Sequence, residues 1–281
     1  FPDRVLIGGD DKHAIQCLVD IYRKWVPNEQ IICTNLWSSE LSKLIANAFL
    51  AQRISSINSV SALCEVTGAD VREVSLAIGT DRRIGKHFLN AGPGFGGSCF
   101  KKDILNLVYL CNYFGLPEVA AYWEQVVVLN NWQQYRIYSL VINKLFGTVN
   151  GKRLAILGFS FKANTNDTRE SPAIRIACNL LEEGAFISVH DPQVKEERIK
   201  EDLSDNSIND YSNLSIENTI EDTIRDSDAV IILTDWNEYS DLNWKHLSGL
   251  MRAPAWVFDT RSVVDPQEIS SAGLKFWRVG D

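Results

Sequence analysis

The chain has 281 residues, of which 45% are hydrophobic and 10% aromatic, enough to fill about two packed cores and to exclude a disordered or fibrous protein. Its net charge of −8 argues against binding along a nucleic-acid phosphate backbone, so any anion must be met by a local cluster of cations. The longest apolar runs, such as Ala229 to Leu233, fall far short of the roughly 20 residues a membrane span needs, and no secretory signal is read at the start, so a soluble, cytoplasmic protein is expected.

The chain opens at Phe1, its one methionine is Met251, and a strand is read at once near Arg4 to Ile7. A helix over Lys12 to Trp25 and a strand over Gln30 to Cys33 complete a βαβ alternation. Residues 1–34 are therefore expected to be the remnant of a larger N-terminal sheet domain. From Ser38 to Thr67 the sequence has no Pro or Gly, carries apolar residues at helical spacing (Leu41, Leu44, Ile45, Ala48, Ile54, Ile57), and stops at Gly68. One long helix is predicted, of a length suited to joining domains or carrying a subunit interface. Asp70, with Glu73 three residues on, starts a short helix that ends near Gly79. Further helices are expected over Lys102 to Phe114 and Pro117 to Phe146.

Beyond Gly147 the pattern changes to short β-rich runs alternating with helices: "RLAILGF", a helix from Ser171 to Glu183, "FISVHD", a helix over Glu217 to Arg225, "DAVIILTDW", "AWVFDT" and "LKFWRVG". This alternation predicts a doubly wound, Rossmann-like parallel sheet. The polar segment 195–215 reads as a solvated loop. The expected class is α/β, in three parts: the remnant (1–34), a central long-helix domain (35–147) and the sheet domain (148–281).

Six cysteines lie at 17, 33, 64, 99, 111 and 178 without a CxxC pair, which points to a reducing compartment; five are expected as small buried residues. The four histidines have no ligand spacing, so no metal is expected. The sixth cysteine differs. In "AGPGFGGSCFKKD" (91–103), glycines at 92, 94, 96 and 97 can bring a ligand close to main-chain amides, and Cys99 follows where a helix begins. A helix N-terminus with Lys101 and Lys102 beside it favours the thiolate form. Asp103, four residues on, could act as base or orient a water. The competing reading is a glycine-rich turn carrying a buried free cysteine.

Lys43 and Asn47 share one face of the long helix with Leu50 and Ile54, a face expected to be at least partly buried. They read either as donors to a developing oxyanion or as a lysine snorkelling from an interfacial helix. In "FSFKANTNDTRES", Lys162 and Arg169 follow a strand and lead into a helix, and Arg261 follows "VFD" at the same strand-end edge. Ligands of doubly wound sheets sit at that edge, and a phosphate-bearing ligand fits.

The segments "WSSELSKLIANAFLAQRISSINSVSALCE", "DRRIG", "GFGGSCFKKDILNLVYLC", "LPEVA" and "AILGFSFKANTNDTRES" together resemble the nucleotide-sugar dehydrogenase family, in its UDP-glucose 6-dehydrogenase branch. The resemblance implies an NAD-dependent, four-electron oxidation of the sugar C6 alcohol of UDP-glucose to the carboxylate of UDP-glucuronate. By that resemblance Cys99 captures the aldehyde as a thiohemiacetal and then carries a thioester, Lys43 and Asn47 stabilise oxyanions, and Asp103 assists proton transfer. Gly96, Gly97, Phe100, Lys162 and Arg261 match positions around the UDP-sugar, Arg83 one reaching a neighbour's sugar across a dimer interface, and Lys102 and Arg169 ones near the cofactor. A homo-oligomer, a dimer through the long helix or a hexamer, is implied. Asn90 stands where the family carries a lysine, so a related UDP-sugar is an alternative substrate. Family members begin with a glycine-fingerprint NAD domain that is not read here, so the chain is expected to keep UDP-sugar contacts without turning over. A non-catalytic nucleotide-sugar-binding or assembly module is the rival reading.

Overall fold

In the computed structural model, which describes residues 2–281, β1 (Val5–Gly8) leads into α1 (Lys12–Tyr22) and β2 (Ile31–Thr34). The two strands pair in parallel, Val5 opposite Ile31 and Gly8 opposite Thr34. Asp11 starts α1 by accepting the amides of His13 and Ala14. There follow α2 (Leu36–Thr67, 32 residues, about 48 Å at 1.5 Å per residue), α3 (Val71–Gly79), α4 (Phe100–Tyr113) and α5 (Pro117–Lys144). Gly68, at φ +76°, stops α2 where a side chain would be strained, and the Asp70 carboxylate caps α3 through the Arg72 amide.

Packing divides the chain into two units: residues up to Leu50 with Lys102–Glu124, and Ala51–Lys101 with Gln125–Asp281. In the first unit, burial departs from the sequence expectation. Cys17 and Cys33 are exposed, and only Cys64, Cys111 and Cys178 are buried. Cys17 lies on α1 and Cys33 on β2, and a two-stranded sheet with one short helix has too little facing surface to enclose both residues.

The second unit holds a six-stranded parallel sheet. In chain order its elements are β3 (Arg153–Leu157), α6 (Pro172–Glu182), β4 (Phe186–His190), α7 (Glu196–Ser204), β5 (Leu214–Ile216), α8 (Ile220–Ile224), β6 (Ala229–Ile232), α9 (Trp244–Leu247), β7 (Trp256–Asp259), α10 (Pro266–Ser271) and β8 (Lys275–Arg278). The spatial order is β5-β4-β3-β6-β7-β8, so the winding reverses between β3 and β6. Leu154 to Leu157 and Ala229 to Ile232 are at most 1% exposed, as required of central strands covered on both faces. The expected loop 195–215 instead contains α7 and β5. Ile199 and Leu203, four residues apart and fully buried, give α7 a narrow apolar stripe that its charged neighbours conceal in the sequence. Arg198–Asp202 and Lys200–Glu196, both at 2.6 Å, brace it at the same spacing. Helix α8 is shorter than the Glu217–Arg225 expectation because Thr219 caps it late, accepting the Asp222 amide. The chain end returns to the helices: Gly280 donates its amide to Glu65 (2.9 Å) and accepts from the Val71 amide (2.8 Å). No helix among the described residues is long and apolar enough to cross a membrane.

Candidate functional site

The carboxyl ends of three parallel strands converge on one cavity of the second unit. Phe161 and Lys162 follow β3, Asp235 follows β6 and Arg261 follows β7. The cavity, about 500 Å³, is completed by Phe88, Asn90, Phe95, Gly96 and Phe100. It therefore sits where the strand order reverses, the place at which open parallel sheets leave a crevice between diverging loops. Phe100 meets Phe95 edge-on at 5.7 Å and Phe88 at 6.4 Å, forming an aromatic wall. Arg261 is fixed by its Nε bond to the Leu233 carbonyl (2.8 Å) and its Nη2 bond to the Phe161 carbonyl (3.1 Å). Its own amide bonds the Asp259 carboxylate (2.9 Å), which also accepts from Val263 and Val264. Burial pulls the Arg261 guanidinium below its ordinary value, with Asp235 and Asp259 opposing, and an arginine remains cationic at neutral pH. Lys162 is exposed, its ammonium 5.4 Å from the Phe161 ring centroid, and makes no ion pair among the described residues.

The glycine loop is held by buried amide side chains. Asn58 accepts from the Gly92 amide (2.8 Å), and Gln133 donates to the Gly92 carbonyl (2.8 Å). Asn130 clasps Phe95, accepting from its amide (2.8 Å) and donating to its carbonyl (3.1 Å). On the other side, the Gly97 amide donates to the Arg169 carbonyl (2.7 Å). A Cβ on Gly96 would lie 2.5 Å from the Glu170 carbonyl oxygen, so this glycine is demanded by a backbone-to-backbone approach; Gly97 adopts φ +84°. Gly96 reaches the cavity, whereas Gly97 packs on the Phe161 ring. Sequence reasoning missed Asn58, Asn130 and Gln133. For Asn130 and Gln133 the signal available was the amide-rich run Asn130, Asn131, Gln133, Gln134 directly after the apolar stretch Val126 to Leu129.

Cys99 directly precedes α4 and is exposed, with Ser98 Oγ 3.6 Å from its sulfur. Of the two lysines after it, Lys101 is taken by Glu170 (2.8 Å), while Lys102 is exposed. Arg169 forms a two-bond pair with Asp167 (2.8 and 2.9 Å), which raises its already high value, and it lies within Coulombic range of Cys99.

In the first unit, Asp103 is 2% exposed and receives both Lys43 Nζ and Asn47 Nδ2 (the latter at 2.5 Å) on a single carboxylate oxygen. Burial pushes this carboxyl upward, but the Lys43 and Asn47 hydrogen bonds and the charges of Lys43 and Lys102 outweigh it, so it lies below its ordinary value. The helix face is partly buried as expected: Asn47 and Leu50 are half-buried, and Lys43, with a side chain 58% exposed, brings its ammonium to the buried Asp103 carboxylate. The i, i+4 spacing of Lys43 and Asn47 brings both donors to one anion. Arg83 is 89% exposed and paired with Asp81 (2.7 Å), outside the cavity, whereas Asn90 lines it.

Comparison with known proteins gives the family. Residues 37–132 match the central domain of the UDP-glucose/GDP-mannose dehydrogenase family, and residues 155–266 match its UDP binding domain. The chain belongs to the UDP-glucose/GDP-mannose dehydrogenase family. UDP-glucose 6-dehydrogenase 1 of Arabidopsis thaliana is 50% identical over 99% of this chain, and UDP-glucose 6-dehydrogenase 1 of Glycine max is 49% identical over the same share. The chain spans 62% of the length of each. Among solved structures, a UDP-glucose dehydrogenase from Pyrobaculum islandicum aligns with a TM-score of 0.84 at 31% identity, over 99% of this chain and 59% of that one. An NDP-N-acetyl-D-galactosaminuronic acid dehydrogenase from Methanosarcina mazei (TM-score 0.82, 23% identity, 98% and 57% coverage) shares the fold.

The described residues do not make a dinucleotide cradle. The turn from β1 into α1 carries Asp10 and Asp11, anions where a pyrophosphate would need donors, and a Cβ at Gly8 would meet Ser39 at 2.2 Å. In the larger sheet, the acidic side chain at the end of the second strand, Asp191, is already hydrogen-bonded within the protein. Among the described residues no group of three or more His, Cys, Asp or Glu is placed to bind a metal.

Proposed function

We propose that the chain binds a UDP-sugar, UDP-glucose first among them, in the strand-end cavity and supplies the thiol for NAD-dependent oxidation of the sugar C6 alcohol to the carboxylate of UDP-glucuronate. One observation carries this reading: Gly96, Phe100, Lys162 and Arg261, drawn from three separated segments, line a single cavity at the reversal of the sheet. Lys162 and Arg261 supply the cations a diphosphate requires, and Phe88, Phe95 and Phe100 supply apolar and aromatic surface for a base and sugar ring.

Cys99, accessible in front of α4, is the nucleophile. At the aldehyde level its sulfur adds to the carbonyl carbon, the π pair moves to oxygen, and that oxygen takes up a proton. At the acyl level water adds to the thioester carbon and the thiolate departs. Asp103, held below its ordinary value by Lys43 and Asn47, balances the lysine charge and is a weak proton acceptor, a poor general base in this reading. NAD would supply the hydride acceptor twice, once before the aldehyde stage and once between the aldehyde and acyl stages; the residues described here carry the sulfur–carbon chemistry and the substrate contacts. Exposed Leu63 and Val66 on α2 support the accompanying reading of a homo-oligomer through the long helix.

Calorimetric titration tests the core of the reading. The chain should bind UDP-glucose and UDP, lose most of that affinity in the Lys162→Ala/Arg261→Ala double variant, and show no heat with NAD. Failure of the unmodified chain to bind UDP-glucose would remove the reading. For the thiol, bound UDP-glucose should slow alkylation of Cys99 by iodoacetamide; unchanged labelling would separate Cys99 from the substrate.

A further inference from the structure

The cavity rim is made of loops, and loops need something to fix them. Phe161 and Lys162 stand on the segment after β3, and Asp235 stands on the segment after β6, the two strands between which the winding reverses. Besides Arg261, which bonds the Phe161 and Leu233 carbonyls, a second side chain bonds both segments. Asp191, directly after β4, places Oδ2 within 2.7 Å of the Phe159 amide and 3.0 Å of the Ser160 amide, and accepts from Ser160 Oγ at 3.1 Å. The same oxygen accepts from the indole Nε1 of Trp236 at 3.2 Å, the residue immediately after Asp235. Its other oxygen takes the amides of Gln193 and Val194, both at 3.0 Å, so the carboxylate is itself pinned. Thr234 crosses the same gap, its hydroxyl donating to the Ser160 carbonyl at 2.6 Å, and Gly158 (φ +92°) lets the two segments approach so closely that a Cβ there would lie 2.4 Å from Thr234 Cβ.

In dinucleotide-binding sheets of this winding, an acidic residue after the second strand offers its carboxylate to a ribose hydroxyl. Asp191 occupies that place in the chain order, yet both of its oxygens are already engaged by amides, a hydroxyl and an indole of the protein. We infer that Asp191 is a positioning residue for the nucleotide cavity: by bonding Phe159, Ser160 and Trp236 at once, it sets the separation of the β3 and β6 loops and so the placement of Phe161, Lys162 and Asp235. It touches no substrate in this assignment. The inference rests on the UDP-sugar reading for its functional consequence, though not for its structural one.

The test compares the full chain with Asp191→Asn and with Asp228→Asn. Asp228 is a matched control, a carboxylate that accepts the Arg153 amide (2.8 Å) and Arg252 Nη2 (2.6 Å) at the opposite, amino-terminal end of β3. Hydrogen exchange of the Phe159 and Ser160 amides and the Kd for UDP are measured for each, with the thermal midpoint. Asp191→Asn should speed exchange of both amides and weaken UDP binding, each by about tenfold or more, because charge-assisted bonds are lost at the rim. Asp228→Asn should leave the Kd within about twofold at a comparable fall in midpoint. Unchanged exchange, or fast exchange with unchanged UDP affinity, overturns the inference, as does an equal loss of affinity in the control, which would mark a general stability effect. If Asp191→Asn does not fold, Trp236→Phe, which deletes one donor, should weaken UDP by about twofold or more, and unchanged affinity overturns the inference. If the unmodified chain binds no UDP, the functional reading falls, while the exchange rates alone still decide whether Asp191 orders the loops.

Discussion

The two parallel sheets share a local grammar of strand, helix, strand, and yet they differ in how far they are enclosed. In the six-stranded sheet β3 and β6 are sealed on both faces, with Ile231 and Ile232 at 0% exposure. In the two-stranded sheet Ile32 is 43% exposed and Ile7 is the one strand residue counted in the core. A parallel ladder gains its stability from layers on both faces, so similar strand sequences support very different amounts of free energy. The contrast locates the global stability in the second unit.

The largest test of that contrast is Ile231→Ala against Ile32→Ala. The first should cost about 2–5 kcal/mol in denaturant unfolding, and the second less than about 1 kcal/mol, because only the first leaves a cavity. Equal losses would break the comparison. Next, Tyr239→Phe removes a fully buried hydroxyl that donates to the His190 carbonyl (3.0 Å) and meets His190 Nδ1 (3.0 Å); a loss of about 1–3 kcal/mol is expected from the unpaired groups.

A third measurement probes the polar cluster of the first unit. Lys43→Met should cost about 1–2 kcal/mol at neutral pH, discounted because the lysine is largely exposed. The Asp103 carboxyl is lowered in the folded state, so its contribution is complete above its unfolded value and disappears as the pH falls through the folded one. The gap between the two proteins should therefore close on acidification below about pH 4, and a gap independent of pH would sever Lys43 from Asp103. The smallest effect belongs to Arg83→Ala, expected within about 0.5 kcal/mol because the arginine is almost wholly exposed and its pair is screened by solvent.

Much of the larger sheet could be read from residue order, since continuous apolar runs such as Ala229 to Ile232 have few alternatives to a central strand, and Gly68 and Asp70 mark helix ends by backbone chemistry alone. Lys162 and Arg261 were also legible, because the strand-end rule turns sequence position into spatial position. What escaped depends on who faces whom. Helix α7 hides two core residues among charges, and Cys17 and Cys33 are exposed because their neighbours do not cover them. Asp191 and Asn130 look like any surface Asp or Asn until the amides they bond are seen, and Lys43 needed knowledge of a carboxylate sixty residues away.

The missing side chain at Gly96 has a mechanical consequence. The strip of chain leading to Cys99 and the strip descending from Lys162 lie against each other with no padding, joined by the Gly97 amide and the Arg169 carbonyl, like two laths glued face to face. If the cavity binds a nucleotide as proposed, stiffening one lath would stiffen the other, and occupancy at the cations would be felt at the sulfur without a hinge between them.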